Sequence, residues 1–200
     1  MIFKKFSSVN NKKKRSVFRN NRKLRRLAVA ASLLLLAAGA TYFCVNQRGN
    51  FHTVSPGRVY RSGQLTEKQL TEYTKQYGIR SVLNLRGKNE QSEWWKKEIA
   101  VSGRLGLKHY DIELSSRRKP EDKTVQELVA VLEEAPKPLL IHCFGGADRS
   151  GLVSAIYLYQ FERYPYEKAR RQLSFIYGHN TLLYPDSKAM DRAFADFCGK

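Results

Sequence analysis

The sequence predicts an α/β domain, a central and mostly parallel sheet between flanking layers of helices, preceded by one N-terminal transmembrane helix. Two observations carry this expectation. Between residues 66 and 197, helix-like segments alternate with short apolar runs, the pattern of parallel strands joined by helical crossovers. Between Leu27 and Gln47 there is no charged residue, and a block dense in Lys and Arg precedes that run.

The elements follow in chain order. "LTEKQLTEYTKQYG" opens on Thr66, a candidate N-cap, and stops at Gly78, so it predicts a helix. "IRSVLNL" predicts a first strand and "EQSEWWKKEIAVSG" a helix ending near Gly103. "LKHYDIEL" predicts a second strand. "PEDKTVQELVAVLEEA" opens with Pro120 and spaces Val125, Leu128, Val129 and Leu132 along one helical face. "PLLIHC" predicts a third strand. "SGLVSAIYLYQF", "YEKARRQLSFIY" and "SKAMDRAFADF" predict three more helices.

The uncharged run is long enough to cross a bilayer, at roughly 1.5 Å per residue over about 30 Å. The basic block predicts a cytoplasmic N-terminus and an extracytoplasmic domain after it. The expected organisation is a basic arm over 1–26, a signal anchor over 27–47 and one domain over 48–200. Cleavage after the small-x-small segment Ala38-Gly39-Ala40 is the alternative, and the length of the basic region and the extension through Tyr42-Phe43 favour the anchor.

The net charge of +18 invites a nucleic-acid reading, but eleven of the 36 Lys and Arg lie within the first 26 residues with no acid among them. The remaining 25 basic and 18 acidic residues give only +7. The arm lacks interleaved aromatics, so it predicts topology and contact with anionic headgroups, not nucleic-acid binding. Cys44, Cys143 and Cys198 are scattered and apart from the four histidines, which excludes a zinc pattern and a disulfide framework.

In an α/β sheet, ligands gather at the carboxyl ends of the strands. Three loops should share that edge: "RGKNE", "SSRRK" and "CFGGADR". Arg86, Lys88, Arg117, Arg118 and Lys119 thereby become candidate neighbours of Cys143, with Arg86 and Arg117 the leading phosphate-binding pair. The third loop carries the chemistry. Phe144, Gly145, Gly146 and Ala147 form a strand-to-helix turn whose adjacent glycines let backbone N–H groups converge on an anion. Arg149 supplies a planar fork for two oxygens. Cys143, in that positive potential and near a helix N-terminus, is expected to titrate below the free thiol value of about 8.5 and to act as a nucleophile. Ser150 can reach the sulfur, and His142 is expected to orient the loop.

"HCFGGADRSG" resembles the H-C-x5-R-[S/T] signature of the protein tyrosine and dual-specificity phosphatase superfamily. The resemblance covers roughly Val54 to Tyr177, including "GRVYRSGQL" and "SVLNLRG", which look like segments of compact bacterial members. It implies a phosphatase-type fold and hydrolysis of phosphomonoesters through a cysteinyl-phosphate, with no metal and no cofactor. Members usually carry a general acid in the loop after the preceding strand, and "LSSRRK" has none. A subset resembling myotubularins and some bacterial lipid-and-tyrosine phosphatases places Asp immediately before Arg, as Asp148 stands here. Asp148 is thus the leading acid, with Asp111, Glu113, Glu121 and Asp122 as alternatives.

The expected substrate is a phosphotyrosine or other phosphoprotein, or a phospholipid- or lipopolysaccharide-type phosphate. The absence of lysine within the loop disfavours multiply phosphorylated inositides. The expected protein is a monomer. A phosphate-binding module without turnover and a rhodanese-like sulfur transferase are the competing classes. Intact Cys143, Arg149 and Ser150 argue against the first, and His142 with the Arg-Ser pair argues against the second.

Overall fold

A computed structural model of the chain describes residues 25–33, 36, 39 and 48–200. The chain divides into two units, Met1–Cys44 and Val45–Lys200. In the first, residues 25–33 are helical, and Leu27, Val29 and Leu33 are exposed. No helix among the described residues is long and apolar enough to cross a membrane. At about 1.5 Å per residue, residues 25–33 cover less than half of a hydrocarbon core of about 30 Å. The expected single-pass anchor, with its cytoplasmic N-terminus and extracytoplasmic domain, is therefore not supported. The rest of the basic arm and most of the uncharged run lie outside the described residues.

The second unit holds five strands: β1 (His52–Ser55), β2 (Val59–Ser62), β3 (Ser81–Asn84), β4 (Lys108–Asp111) and β5 (Leu139–His142). They lie in the order β1-β2-β5-β3-β4. The pairs β2–β5, β5–β3 and β3–β4 are parallel, and only the edge strand β1 runs antiparallel. The helices are α1 (Glu67–Tyr77), α2 (Glu93–Arg104), α3 (Asp122–Glu134), α4 (Asp148–Gln160), a short α5 (Tyr166–Ala169) and α6 (Lys188–Phe197).

Local chemistry explains several boundaries. Thr66 Oγ1 accepts the Gln69 N–H at 3.3 Å and Gln69 Oε1 accepts the Thr66 N–H at 2.9 Å, a reciprocal capping box that starts α1. Gly78, at φ 64°, ends it in the left-handed conformation. The hairpin β1–β2 lies outside the sequence expectation. Its turn is nevertheless legible in Ser55-Pro56-Gly57-Arg58, where Arg58 N–H donates to Ser55 O at 3.0 Å and Gly57 sits at φ 70°.

The expected helix over 166–177 is also corrected. It is α5 followed by two 3-10 turns, Arg170–Gln172 and Phe175–Tyr177. The helix breaks because the backbone and side-chain oxygens of Gln172 both accept from Arg61, at 2.8 and 2.9 Å.

The sheet buries both faces. Leu139 and Ile141 of β5 point into a core with Leu128, Leu132, Ile156 and Phe194 from α3, α4 and α6. Leu140, between them, points the other way into a cluster with Val82, Leu70 and Val101 from β3, α1 and α2. Period-two alternation on one central strand thus fastens both helix layers, each buried leucine contributing about 1.5–3 kcal/mol.

The register aligns Ser62, His142, Asn84 and Asp111 across the four parallel strands. Their carboxyl ends form one edge, and β5 delivers Cys143 to its middle.

Candidate active site

Residues 143–147 connect β5 to α4. Their carbonyls are tied to the scaffold one after another. Phe144 O accepts the Gln64 N–H at 3.0 Å, and Gly145 O accepts Asn50 Nδ2 at 2.9 Å. Gly146 O and Ala147 O accept Arg61 Nη2 at 2.8 and 2.9 Å. In a trans peptide the C=O and the following N–H point opposite ways. Holding four successive carbonyls outward therefore turns the N–H groups of residues 145–148 inward. The Gly146 N–H donates to Cys143 Sγ at 3.2 Å, which marks the sulfur as the floor of this concavity. Ser150 Oγ, fully buried, lies 3.5 Å from the same sulfur.

Two glycines are required by space. Gly146 sits at φ 72°, and a Cβ there would lie 2.5 Å from Gly63 N. Gly151 lets α4 approach Arg61 and Gln172, because a Cβ would lie 2.9 Å from Gln172 O. Arg61 itself is completely buried in β2. Burial pulls its pKa down to about 10, against the opposing influence of Cys143, Tyr177 and Asp148, so it remains a cation at neutral pH. Its guanidinium also lies 4.5 Å from the centre of the Tyr177 ring.

Behind the cysteine runs a buried polar network. His142 Nε2 and His109 Nε2 both meet Glu98 Oε1, at 3.0 and 2.9 Å. Burial alone would raise the Glu98 carboxyl pKa, but the charge of His142 and the hydrogen bonds of both histidines hold it far below the usual range. Gln64 Nε2 donates to Glu98 Oε2 at 2.5 Å, while Gln64 Oε1 accepts Arg86 Nη1 at 2.7 Å. His142 is thus locked in the core by a carboxylate on α2, and Arg86 is the far end of the chain of bonds.

The Arg86 guanidinium stacks 3.5 Å from the Trp94 ring centre and 5.3 Å from that of Phe144. Burial and the charge of Arg149 both lower its pKa, which places two cations against one space. Arg149 Nη1 donates to Leu85 O and Leu114 O, each at 3.3 Å. Its Nε is buried with no hydrogen-bond partner among the described residues.

The expected basic neighbours divide. Arg117 lines a cavity of about 350 Å³ with Asp148, Leu183 and Tyr184, and Cys143 is not part of that lining. Lys88 pairs with Glu90 and Lys119 with Asp196, both on the exposed surface, and Arg118 is exposed. Of the alternative acids, Asp111 is held by Asn84 Nδ2 at 2.6 Å and by Trp95 Nε1 at 3.1 Å. Glu113 bridges to Arg86 through backbone pairing and is exposed. Glu121 and Asp122 begin α3 on the surface.

Asp148 is the first residue of α4, and the N-cap position is Ala147, without a side-chain cap. Its Oδ1 accepts from His179 Nδ1 at 2.6 Å, and His179 Nε2 donates to Asp191 Oδ2 at 2.8 Å. His179 is 5% exposed. Burial alone would lower the imidazole pKa, but the hydrogen bonds and charges of Asp148 and Asp191 outweigh it and push it up to about 9.

Stability should follow from that shift. The pKa is raised from 6.5 to about 9, so the contribution is complete below pH 6.5 and lost as pH rises through about 9. Its upper bound is roughly 3 kcal/mol. Urea midpoints measured between these limits should fall with pH, and the fall should be much shallower in His179→Gln.

The model of a family described as PTP-SAK, a Swiss Army Knife protein DSP-PTPase phosphatase domain, matches residues 48–183. The chain belongs to this family. It is thereby a member of the protein tyrosine/dual-specificity phosphatase superfamily. No curated protein matches it.

Solved structures share the fold of this phosphatase domain. A DUF442 protein from Shewanella putrefaciens CN-32, described as a phosphatase, is 18% identical with a TM-score of 0.58, covering 76% of this chain and 95% of that one. The core catalytic domain of a PP-IP phosphatase from S. cerevisiae, solved with citrate, is 21% identical with a TM-score of 0.56, covering 75% and 88%. TpbA from P. aeruginosa is 18% identical with a TM-score of 0.53, covering 74% and 91%. A Cys-to-Ser form of TpbA has been solved with pTyr.

Four residues that the sequence reading assigned no role belong to the site: Arg61, Gln64, Glu98 and His179. Arg61 and Gln64 lie in "GRVYRSGQL", a segment singled out for its resemblance alone. The other two carry no local signal, since their partners are remote in sequence.

Proposed function

We propose that the protein hydrolyses phosphomonoesters with Cys143 as covalent nucleophile and Arg149 as the phosphate-binding cation. The observation that carries this reading is the Gly146 N–H aimed at Cys143 Sγ at 3.2 Å, within a loop whose carbonyls are all tied outward. Inward N–H groups are donors for the oxygens of a bound phosphoryl group. The buried, unpartnered Nε of Arg149 is a donor that an anion can take.

In the first step the Cys143 thiolate attacks phosphorus, the S–P bond forms, and the ester P–O bond breaks. Asp148 gives its proton to the departing oxygen. In the second step water attacks phosphorus, its proton passes to Asp148, and the S–P bond breaks as the Ser150 hydroxyl supports the returning thiolate. Inorganic phosphate leaves.

The organic part of the ester is read as aromatic, with phosphotyrosine the leading substrate class. The support is the apolar rim: Phe144 is 70% exposed beside Cys143, and Leu183 and Tyr184 share a cavity with Asp148. TpbA, of similar fold, has been captured with pTyr. The loop interior of Phe144 to Ala147 holds no lysine, which speaks against a polyphosphorylated ligand such as a PP-IP. Turnover of a phosphotyrosyl peptide well above that of a phosphatidic acid dispersion is the expected result.

Asp148→Asn tests the acid. A poor alkoxide leaving group needs the proton most. The variant should slow an alkyl phosphate by about 10²–10⁴ and an activated aryl phosphate far less. Equal losses on both would remove Asp148 from proton transfer.

A further inference from the structure

The imidazole of His179 is enclosed by charge on both sides. Nδ1 lies 2.6 Å from Asp148 Oδ1 on α4, and Nε2 lies 2.8 Å from Asp191 Oδ2 on α6. A neutral ring has one N–H and one lone pair, so one carboxylate would face a lone pair. With Asp148 ionised, two carboxylates at these distances are matched by an imidazolium with both nitrogens donating. Asp191 is in turn paired with Arg170 at 3.6 Å. Arg61 adds positive potential to Asp148 from the side of β2. The ring is held in place through its own backbone, whose N–H donates to Ser174 O at 3.2 Å.

We propose that His179 is a positioning residue, fixing the Asp148 carboxyl at the loop and stabilising the carboxylate that Asp148 becomes when it gives up its proton. The inference rests on Asp148 being the general acid. With Oδ1 fastened to His179, Oδ2 is the oxygen left to carry the proton toward the ester. As that proton departs, negative charge grows on a group already paired with a fixed cation, so no reorganisation is needed. His179 keeps its own protons throughout. In the second step the carboxylate takes the proton of the attacking water and the pairing returns to its starting state. Asp191 has the supporting task of keeping the imidazole charged.

This role has a readout that a purely structural one lacks. A neighbouring cation favours the ionised form of an acid. Removing that cation should move the basic limb of the alkyl phosphate pH–rate profile upward while lowering its maximum. The test measures kcat and KM profiles of the full chain with one alkyl and one activated aryl phosphate, for wild type, His179→Gln, Asp191→Asn and Asp148→Asn.

His179→Gln should lose at least about tenfold in kcat on the alkyl ester, much less on the aryl ester, and shift the basic limb upward. Asp191→Asn, which keeps the ring and nearly the same shape, should shift it in the same direction by less, and remains informative if His179→Gln folds poorly. Leaving-group dependence in Asp148→Asn combined with an unmoved limb in both other variants would overturn the role of His179 alone. Equal losses on both esters in Asp148→Asn would overturn the acid assignment and this inference with it.

Discussion

Cys143→Ser is expected to abolish turnover while phosphate or vanadate still binds. The alkoxide of serine is inaccessible near neutral pH, whereas Cys143 sits at 2% exposure with Gly146 N–H and Ser150 Oγ directed at its sulfur. The oxygen of serine is smaller and keeps the loop intact, because the loop is held from outside by Arg61, Asn50 and Gln64 and not by the sulfur. Removal of a covalent nucleophile that acts as one unit with its partners costs on the order of 10⁶ in kcat. Phosphate affinity should change by less than about tenfold, since Arg149 and the backbone N–H groups remain. Full activity in the variant would exclude covalent catalysis at this residue.

Arg61→Met is expected to be the most damaging substitution outside the cysteine. It strands Gly146 O, Gln172 O and Gln172 Oε1 and leaves Ala147 O with the Gly151 N–H alone; all four oxygens accept from the guanidinium between 2.8 and 2.9 Å. Each buried acceptor left unpaired costs about 1–3 kcal/mol, and deleting a partner of a buried charged network costs about 3–5 kcal/mol. Losses of that size are a large share of the usual 5–15 kcal/mol. Arg61→Lys should recover little, because one ammonium cannot reach both the loop and the Gln172 turn. Urea midpoints and phosphate Kd should worsen together, since the same four bonds hold the fold and turn the loop N–H groups inward. Wild-type stability in Arg61→Met would contradict this account of how the loop is held.

The sequence disclosed the parts of this molecule that are local. Thr66 with Gln69 and Gly78 announce α1 within one short segment, and Cys143 to Ser150 announce the loop within another. The parallel sheet followed from alternation alone. What stayed hidden depends on contacts far apart in the chain. Arg61 reaches Gln172 across 111 positions, and no pattern around either residue reports the other. Strand β2 carries no such signal, because its four residues, Val59 to Ser62, are all buried although two are polar, so it lacks both alternation and an apolar run.

His179 depends on remote partners in the same way as Arg61. A single histidine near the end of an apparent helix says nothing until Asp148, 31 positions away, and Asp191, 12 positions away, are folded against it. The N-terminal expectation failed differently, since hydropathy and charge described a span that no described helix provides.

The central claim is that phosphate passes through the sulfur of Cys143. Rapid mixing of the full chain with a radiolabelled aryl phosphate, a quench that preserves thiophosphate esters, and peptide mapping should recover label on the peptide containing Cys143. The label should appear before steady state, decay as free phosphate accumulates, and be absent from Cys143→Ser. Turnover with no protein-bound label at any time, or label on a different peptide, would contradict the account.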